Sequence, residues 1–537
     1  MSSKPLTLEV ASTYSRSEEV ALLICLCTFA LRMRWLSYWQ RLNSKANEPP
    51  TVPYLIPWLG SCISCKLNFL KFIYYCSDYL DTKIFRIYNA GKIFIIVTDP
   101  FVAALIIGGK YPQLSWQHVK LKVLCKSGGI SKTTALLISK SDGAHKTLAR
   151  HIGKPTCLNS TLLRYQKVFH DQISSLIRKE ESIRWVENEI LEFVSRAVFF
   201  FSIDTLFGLP ALATEEDFKL MMKYNSRFDD IISINFLSRY RLQEELGARE
   251  SLVSRIKSSL LEIENFPGYR TAETFKGIDD NDMSNPKASD LDTRARRLFL
   301  LFHASILNTV PTLFWVIYYL LSDKAIYDAV QEEIDIIYDT RTKMNKANQN
   351  NENDTSLPHL FELADLHNMH KLDSLITEVF RLKTTSRSLS SRIATEGFKM
   401  ILPVDGEEKQ FFVEKGTIFI TSPTIKHTDE SIFKDATTFK WDRFVPLPDG
   451  TRPTFFKDGR ILRTPVTPFG GGKTHCPGRY FAIAEMKLIV SLMLIEYDVR
   501  FKDGKKPAQP ELRNPRHISN GTPKTDITIE VRRRLLV

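Results

Sequence analysis

Apolar residues recur at three- and four-residue spacing through much of the chain, the pattern of helices that bury one face, over residues 163–179, 187–207, 217–234, 243–264, 294–321 and 324–339. Alternating patterns are fewer. Residues 83–97 hold two β-rich runs about a turn at Asn89-Ala-Gly and predict a hairpin, and short strands are expected at 398–402, 410–412 and 417–421, with a last one at 526–531. Residues 268–290 and 340–356 lack apolar periodicity and read as surface loops. The expected fold class is mainly α with a minor β region. Past Ser61 there is no internal repeat and no shift of composition, so residues 61–537 read as one large domain.

The first sixty residues are of another kind. Val20 to Leu31 carry no charge, and Arg32 and Arg34 follow, with Trp35, Leu36, Tyr38 and Trp39 beyond. A bilayer core needs about 20 apolar residues. The segment therefore spans only if it extends over about 20–39, within an N-terminal segment 1–44, and the arginines snorkel to the headgroups. A cleaved signal peptide is the rival reading. Against it, Glu18 and Glu19 precede the apolar run, no small-residue cleavage site closes it, and the positive charge comes after it. An uncleaved anchor, with everything beyond Arg34 cytosolic, is expected. Residues 45–60 then form a proline-rich hinge, where Pro49, Pro50, Pro53 and Pro57 favour a stiff extended spacer over a helix.

Composition excludes rather than identifies. With 43% hydrophobic and 25% charged residues, the 537-residue chain is neither collagen-like nor disordered. Lys and Arg exceed Asp and Glu by 73 to 61, but the basic runs at 294–297 and 532–534 lack interleaved aromatics, so they read as solvated faces and no nucleic-acid partner is expected. Eight scattered cysteines imply no disulfide framework, and the Cys62/Cys65 pair has no second pair to complete a zinc site.

Cys476 stands apart in TPFGGGKTHCPGRYFAIAEMKLIV, residues 467–490. Phe469, Gly472, Cys476 and Gly478 have the spacing FxxGxxxCxG. The glycines permit a tight loop whose backbone comes close to a flat ligand, and the run after Gly478 has helical period. Cys476 is thus expected at a helix N-terminus, where the dipole favours a thiolate, and a thiolate there is suited to ligate an iron. GGGKT, residues 470–474, mimics the end of a phosphate-binding loop. Thr467 stands where that motif needs its first glycine, so ATP and GTP are rejected.

These residues resemble the cytochrome P-450 family. Glu378-Val-Phe-Arg381 fits its ExxR helix motif, and Trp441-Asp-Arg443-Phe444 resembles its PERF segment. An isolated ExxR means little, since i,i+3 ion pairs are common on helices; in order with HTDESIFKDATTFKWDRF and the cysteine it is specific. The resemblance implies a single haem-thiolate domain, with Cys476 as iron ligand, Phe469, Gly472 and Gly478 in the haem loop, and Glu378, Arg381 and Arg443 as an ion-pair cluster bracing it. Arg392 matches an arginine that pairs with a haem propionate. The family's WxxxR is not visible, and His145, Lys146 and Arg150 stand in that region as substitutes or as plain surface.

Within the family the chain looks most like the sterol 7α-hydroxylases, sterol 12α-hydroxylase and prostacyclin synthase, through EPPTVPYLIPWLG, FKWDRF and the threonine of GKTHCPGR. HASILNTVP, residues 303–311, resembles that branch's oxygen-activation motif, with Leu307 in place of the acid and Asn308 in place of the threonine; Thr309 is a nearby hydroxyl. The resemblance implies a monooxygenase that oxidises a bulky lipophilic, sterol or terpenoid-like substrate with O2, using electrons from NADPH through a separate NADPH-cytochrome P-450 reductase. It implies a single-pass endoplasmic reticulum protein in contact with membrane lipid. The alternative is a haem-thiolate isomerase or dehydratase that rearranges a peroxide without a reductase, a reading in keeping with Leu307.

Overall fold

A computed structural model describes residues 48–54, 56, 59–139, 148–150, 152–176, 184–209, 212–233, 239–265, 290–348, 361–383, 391–404, 406–513 and 521–534. The chain divides into two compact units, residues 1–98 with 394–419, and residues 99–393 with 420–537. The expected anchor over residues 20–39 lies outside the described residues.

In the first unit the hairpin expected at 83–97 is formed by Ile84–Asn89 and Lys92–Val97 in antiparallel register. Its turn uses Ala90 and Gly91, both at positive φ (49° and 74°), the geometry that matches the twist of a two-residue hairpin. A second hairpin joins Phe398–Val404 to Glu407–Val413. Among the described residues of the proline-rich stretch, Thr51 forms a bridge with Arg86 of the first hairpin strand. Val52 N–H donates to the Arg86 carbonyl at 2.9 Å, Arg86 N–H donates to the Pro50 carbonyl at 2.8 Å, and Glu48 pairs with the Arg86 guanidinium.

The second unit is built on helices. Thr309–Ser322 is buried from Thr309 through Leu320, which explains its near-continuous apolar sequence. Together with Leu291–Leu307 it forms the described segment long and apolar enough to cross a membrane, yet most of that stretch is buried among the protein's own helices. Arg479–Glu496 and His370–Leu382 complete the part of the core that carries the site. The minor β region includes a three-stranded antiparallel sheet ordered Tyr497–Phe501, Thr528–Arg533, Val186–Glu189.

Three departures from the periodicity have physical causes. The helix expected over 187–207 begins at Ile190, because residues 186–189 pair with the last strand, Thr528 opposite Glu189. The helix expected to stop at 339 continues to Asn348; Arg341 is held by Asp365 at 2.9 Å and Glu362 at 3.0 Å, so the first part of the expected loop is helical. The long helix expected over 294–321 breaks at Asn308, where φ is −105°. Pro311 removes the N–H that would bond the Leu307 carbonyl and crowds it. The Thr312 hydroxyl donates instead to the Asn308 carbonyl at 2.8 Å.

Candidate functional site

The Cys476 loop is fixed by its own backbone before any side chain is considered. Cys476 N–H donates to the Phe469 carbonyl at 3.0 Å, and His475 N–H donates to Gly472 at 3.2 Å. Gly472 has φ +61°, and a Cβ there would stand 2.2 Å from the carbonyl oxygen of Ile107, at the end of the Pro100–Gly108 helix. Only glycine allows both the turn and the approach. Gly478 caps the Arg479–Glu496 helix, so Cys476 lies two residues ahead of the cap.

The electrostatics of Cys476 refine the expectation from the sequence. Burial pushes its thiol above the ordinary value, while a hydrogen bond from the Gly478 N–H and the charge of Arg479 pull the other way. Burial is the largest of these effects, so the helix terminus moderates the shift without reversing it. A bound cation would favour the thiolate.

Behind the loop, Glu378 and Arg381 are wholly buried on the His370–Leu382 helix and form a two-pronged pair, Nε to Oε2 and Nη2 to Oε1, both at 2.7 Å. Arg443 reaches Glu378 at 3.3 Å and donates to the Lys434 carbonyl at 2.8 Å. Lys440 N–H adds a bond to Glu378 at 3.0 Å. The three residues expected to cluster are therefore together. Phe380, beside them, meets Phe469 of the loop edge to face at 5.2 Å.

Arg392 lies on the strand Ser391–Ala394, 4% exposed, and its guanidinium donates to the Thr474 hydroxyl of the loop at 2.7 Å and to the Ser391 carbonyl at 3.1 Å. Burial lowers its pKa to about 10, and among the described residues no carboxylate forms an ion pair with it. A buried cation next to the loop, with no carboxylate paired to it among the described residues, fits a haem propionate. Gly478 fits too. A Cβ there would meet only Ile152 at 3.7 Å and the Cys476 sulfur at 3.9 Å, so no protein contact demands the glycine, whose bare face lies beside the sulfur.

Asn308 and Thr309 stand at the break in the long helix rather than on the loop, with Thr309 buried. Arg150 is exposed, and His145 and Lys146 lie outside the described residues. Two features escaped the sequence reading. Glu485, on the helix after Cys476, is wholly buried and accepts from the Ser202 hydroxyl at 2.8 Å. Burial raises its pKa to about 8, against the opposing effect of Ser202 and Tyr165. Lys426 and His427 also grip the chain ahead of Phe469, with His427 accepting the Thr467 N–H at 3.0 Å. Only the apolar setting of Glu485 and the place of His427 in HTDESIF signalled either.

The family profile "Cytochrome P-450" matches residues 49–529. Among curated relatives, cytochrome P-450 7B1 of Mus musculus is 27% identical over 495 residues, covering 90% of this chain and 91% of the relative. Cytochrome P-450 7A1 of Oryctolagus cuniculus is 26% identical, covering 91% and 93%. The 7-alpha-hydroxycholest-4-en-3-one 12-alpha-hydroxylase of the same species is 26% identical, covering 91% and 94%.

Proposed function

Because the chain belongs to the cytochrome P-450 family as a haem-thiolate monooxygenase related to sterol hydroxylases, we propose that it hydroxylates a bulky lipophilic substrate of sterol or terpenoid type. The observation that carries the substrate class is that relatives named as a cholesterol 7-alpha-monooxygenase and a sterol 12-alpha-hydroxylase each align with about nine-tenths of the chain. Haem, when bound, supplies the activation of O2 and the insertion of one oxygen atom.

The chain's own groups then take these parts. The Cys476 sulfur holds the iron, and the Gly478 N–H bonded to that sulfur tempers its basicity. Arg392, oriented by Thr474, neutralises a propionate. Gly472 keeps the loop closed against Ile107, and Glu378, Arg381 and Arg443 brace the segment behind it. At the break in the long helix the Asn308 amide would be the group to hold a water and the Thr309 hydroxyl the group to pass a proton, since Leu307 carries no acid there. Electrons come from NADPH through NADPH-cytochrome P-450 reductase, steered by rim charges such as Lys473 and Arg479. The anchor at residues 20–39 places the protein in the endoplasmic reticulum membrane with its catalytic part cytosolic.

Turnover separates this from a reductase-free isomerase. With purified protein and a panel of sterols, hydroxylated product should require both NADPH and the reductase. Conversion of an endoperoxide in their absence, with no sterol product in their presence, contradicts the reading.

A further inference from the structure

The bracing pair Glu378–Arg381 makes its polar contacts to chain that precedes the haem loop. Arg381 donates to the carbonyls of His427 and Ala436, each at 2.5 Å, and to Thr438 at 3.3 Å. The Phe380–Phe469 ring contact is apolar and supplies no hydrogen bond to the loop. A directional link from the ion pair to the loop is found at the end of the short helix Pro423–His427. There the His427 carbonyl receives Arg381, while its ring Nε2 accepts the backbone N–H of Thr467 at 3.0 Å. The neighbouring Lys426 ammonium donates to the Thr464 carbonyl at 2.9 Å and to the Thr467 hydroxyl at 3.1 Å. Two adjacent residues thus hold residues 464–467 by three hydrogen bonds, and Phe469 follows two positions on.

We propose that Lys426 and His427 are positioning residues for Cys476: they pass the rigidity of the Glu378–Arg381 pair to residues 464–467, and the His427 ring fixes the Thr467 amide from which the thiolate loop departs. The proposal rests on Cys476 being the iron ligand. His427 is wholly buried, so its acceptor bond does not compete with water. An acceptor at Nε2 requires the neutral ring with its proton on Nδ1. Burial, the largest effect, and the charges of Lys426 and Arg381 hold the ring's pKa well below the usual value against a hydrogen bond to the Arg381 backbone, which keeps the ring neutral as the acceptor role requires. A histidine conserving only volume would need no such acceptor, and a lysine serving only solubility would not be drawn inward to a backbone carbonyl.

The test uses the full haem-loaded chain and three variants: His427→Leu removes the acceptor, His427→Gln returns one near the position of Nε2, and Lys426→Met removes the ammonium while keeping the stem. Two readouts are followed: the half-life of the thiolate-type Soret band of the reduced carbon monoxide complex, and amide hydrogen exchange of residues 464–469 by mass spectrometry. Loss of one buried hydrogen bond corresponds to roughly ten-fold faster local exchange. His427→Leu is expected to show that acceleration and a several-fold shorter-lived thiolate band at unchanged initial haem content, His427→Gln to restore both, and Lys426→Met to give an intermediate effect. Equal behaviour of His427→Leu and wild type, or failure of His427→Gln to rescue, overturns the proposal. If His427→Leu does not accumulate, Lys426→Met decides: unchanged exchange at 464–469 is the refuting result. Cys476→Ser is measured alongside, and a thiolate band surviving in it refutes the ligand assignment itself rather than the role of His427.

Discussion

Replacing Glu485 by Gln isolates the cost of burying an ionisable group in the helix that follows the Cys476 loop. The Glu485 carboxyl is wholly buried and titrates at about 8, compared with 4.5 for an ordinary glutamate. Because the folded value is raised, the stability this group contributes is fully present below the unfolded pKa, falls as pH rises above it, and is lost once pH passes through about 8. The folded state binds the extra proton throughout that window. At 1.36 kcal/mol per pH unit, the loss is ~3 kcal/mol by pH 7 and approaches ~5 kcal/mol above pH 8. Glutamine keeps the shape and can still accept from Ser202, which donates at 2.8 Å, but has no proton to lose. Glu485→Gln should therefore match wild type near pH 5 and exceed it by about 2–3 kcal/mol at pH 7. The assay is urea unfolding followed by far-ultraviolet circular dichroism in paired samples from pH 5 to pH 8. A difference between the two proteins that is flat over that range would refute a neutral, buried Glu485.

Further substitutions test the site. Gly472→Ala forces a side chain to positive φ and into the Ile107 carbonyl, so haem content and the thiolate-type band should fall steeply, with a stability loss of roughly 3 kcal/mol or more. Arg381→Leu leaves the Glu378 carboxylate buried with Arg443 at 3.3 Å as its remaining cation; roughly 3–5 kcal/mol should be lost in denaturant unfolding, and Glu378→Gln/Arg381→Leu should lose less than the sum of the single changes. Arg392→Leu should speed haem transfer to a haem-scavenging protein about ten-fold while leaving the fold intact, and equal transfer rates would remove Arg392 from the propionate site.

The Cys476 loop was legible because its constraints are local in sequence. Phe469, Gly472, Cys476 and Gly478 lie within ten residues, and a glycine forced to φ +61° against Ile107 leaves a mark at a fixed spacing. Glu378, Arg381 and Arg443 were legible only in order with that loop, since the ion pair alone looks like any helix surface. Glu485 was not. Its apolar setting in FAIAEMKLIV is a faint signal alone, and the partner that satisfies the buried carboxyl, Ser202, lies 283 residues away. Asn308 shows a partial case. Pro311 announced a disturbance three residues on, yet apolar period alone carried the helix straight through the break. The helix end at Asn348 was missed for the opposite reason, because polar residues held by Glu362 and Asp365 need no apolar stripe.

The central claim, that the Cys476 sulfur is the iron ligand of a haem-thiolate monooxygenase, is tested most directly by the reduced carbon monoxide difference spectrum of wild type beside Cys476→Ser. Wild type should give the red-shifted thiolate-type Soret band, and the serine variant should lose it even where haem remains bound. The same thiolate-type band in Cys476→Ser would contradict the account.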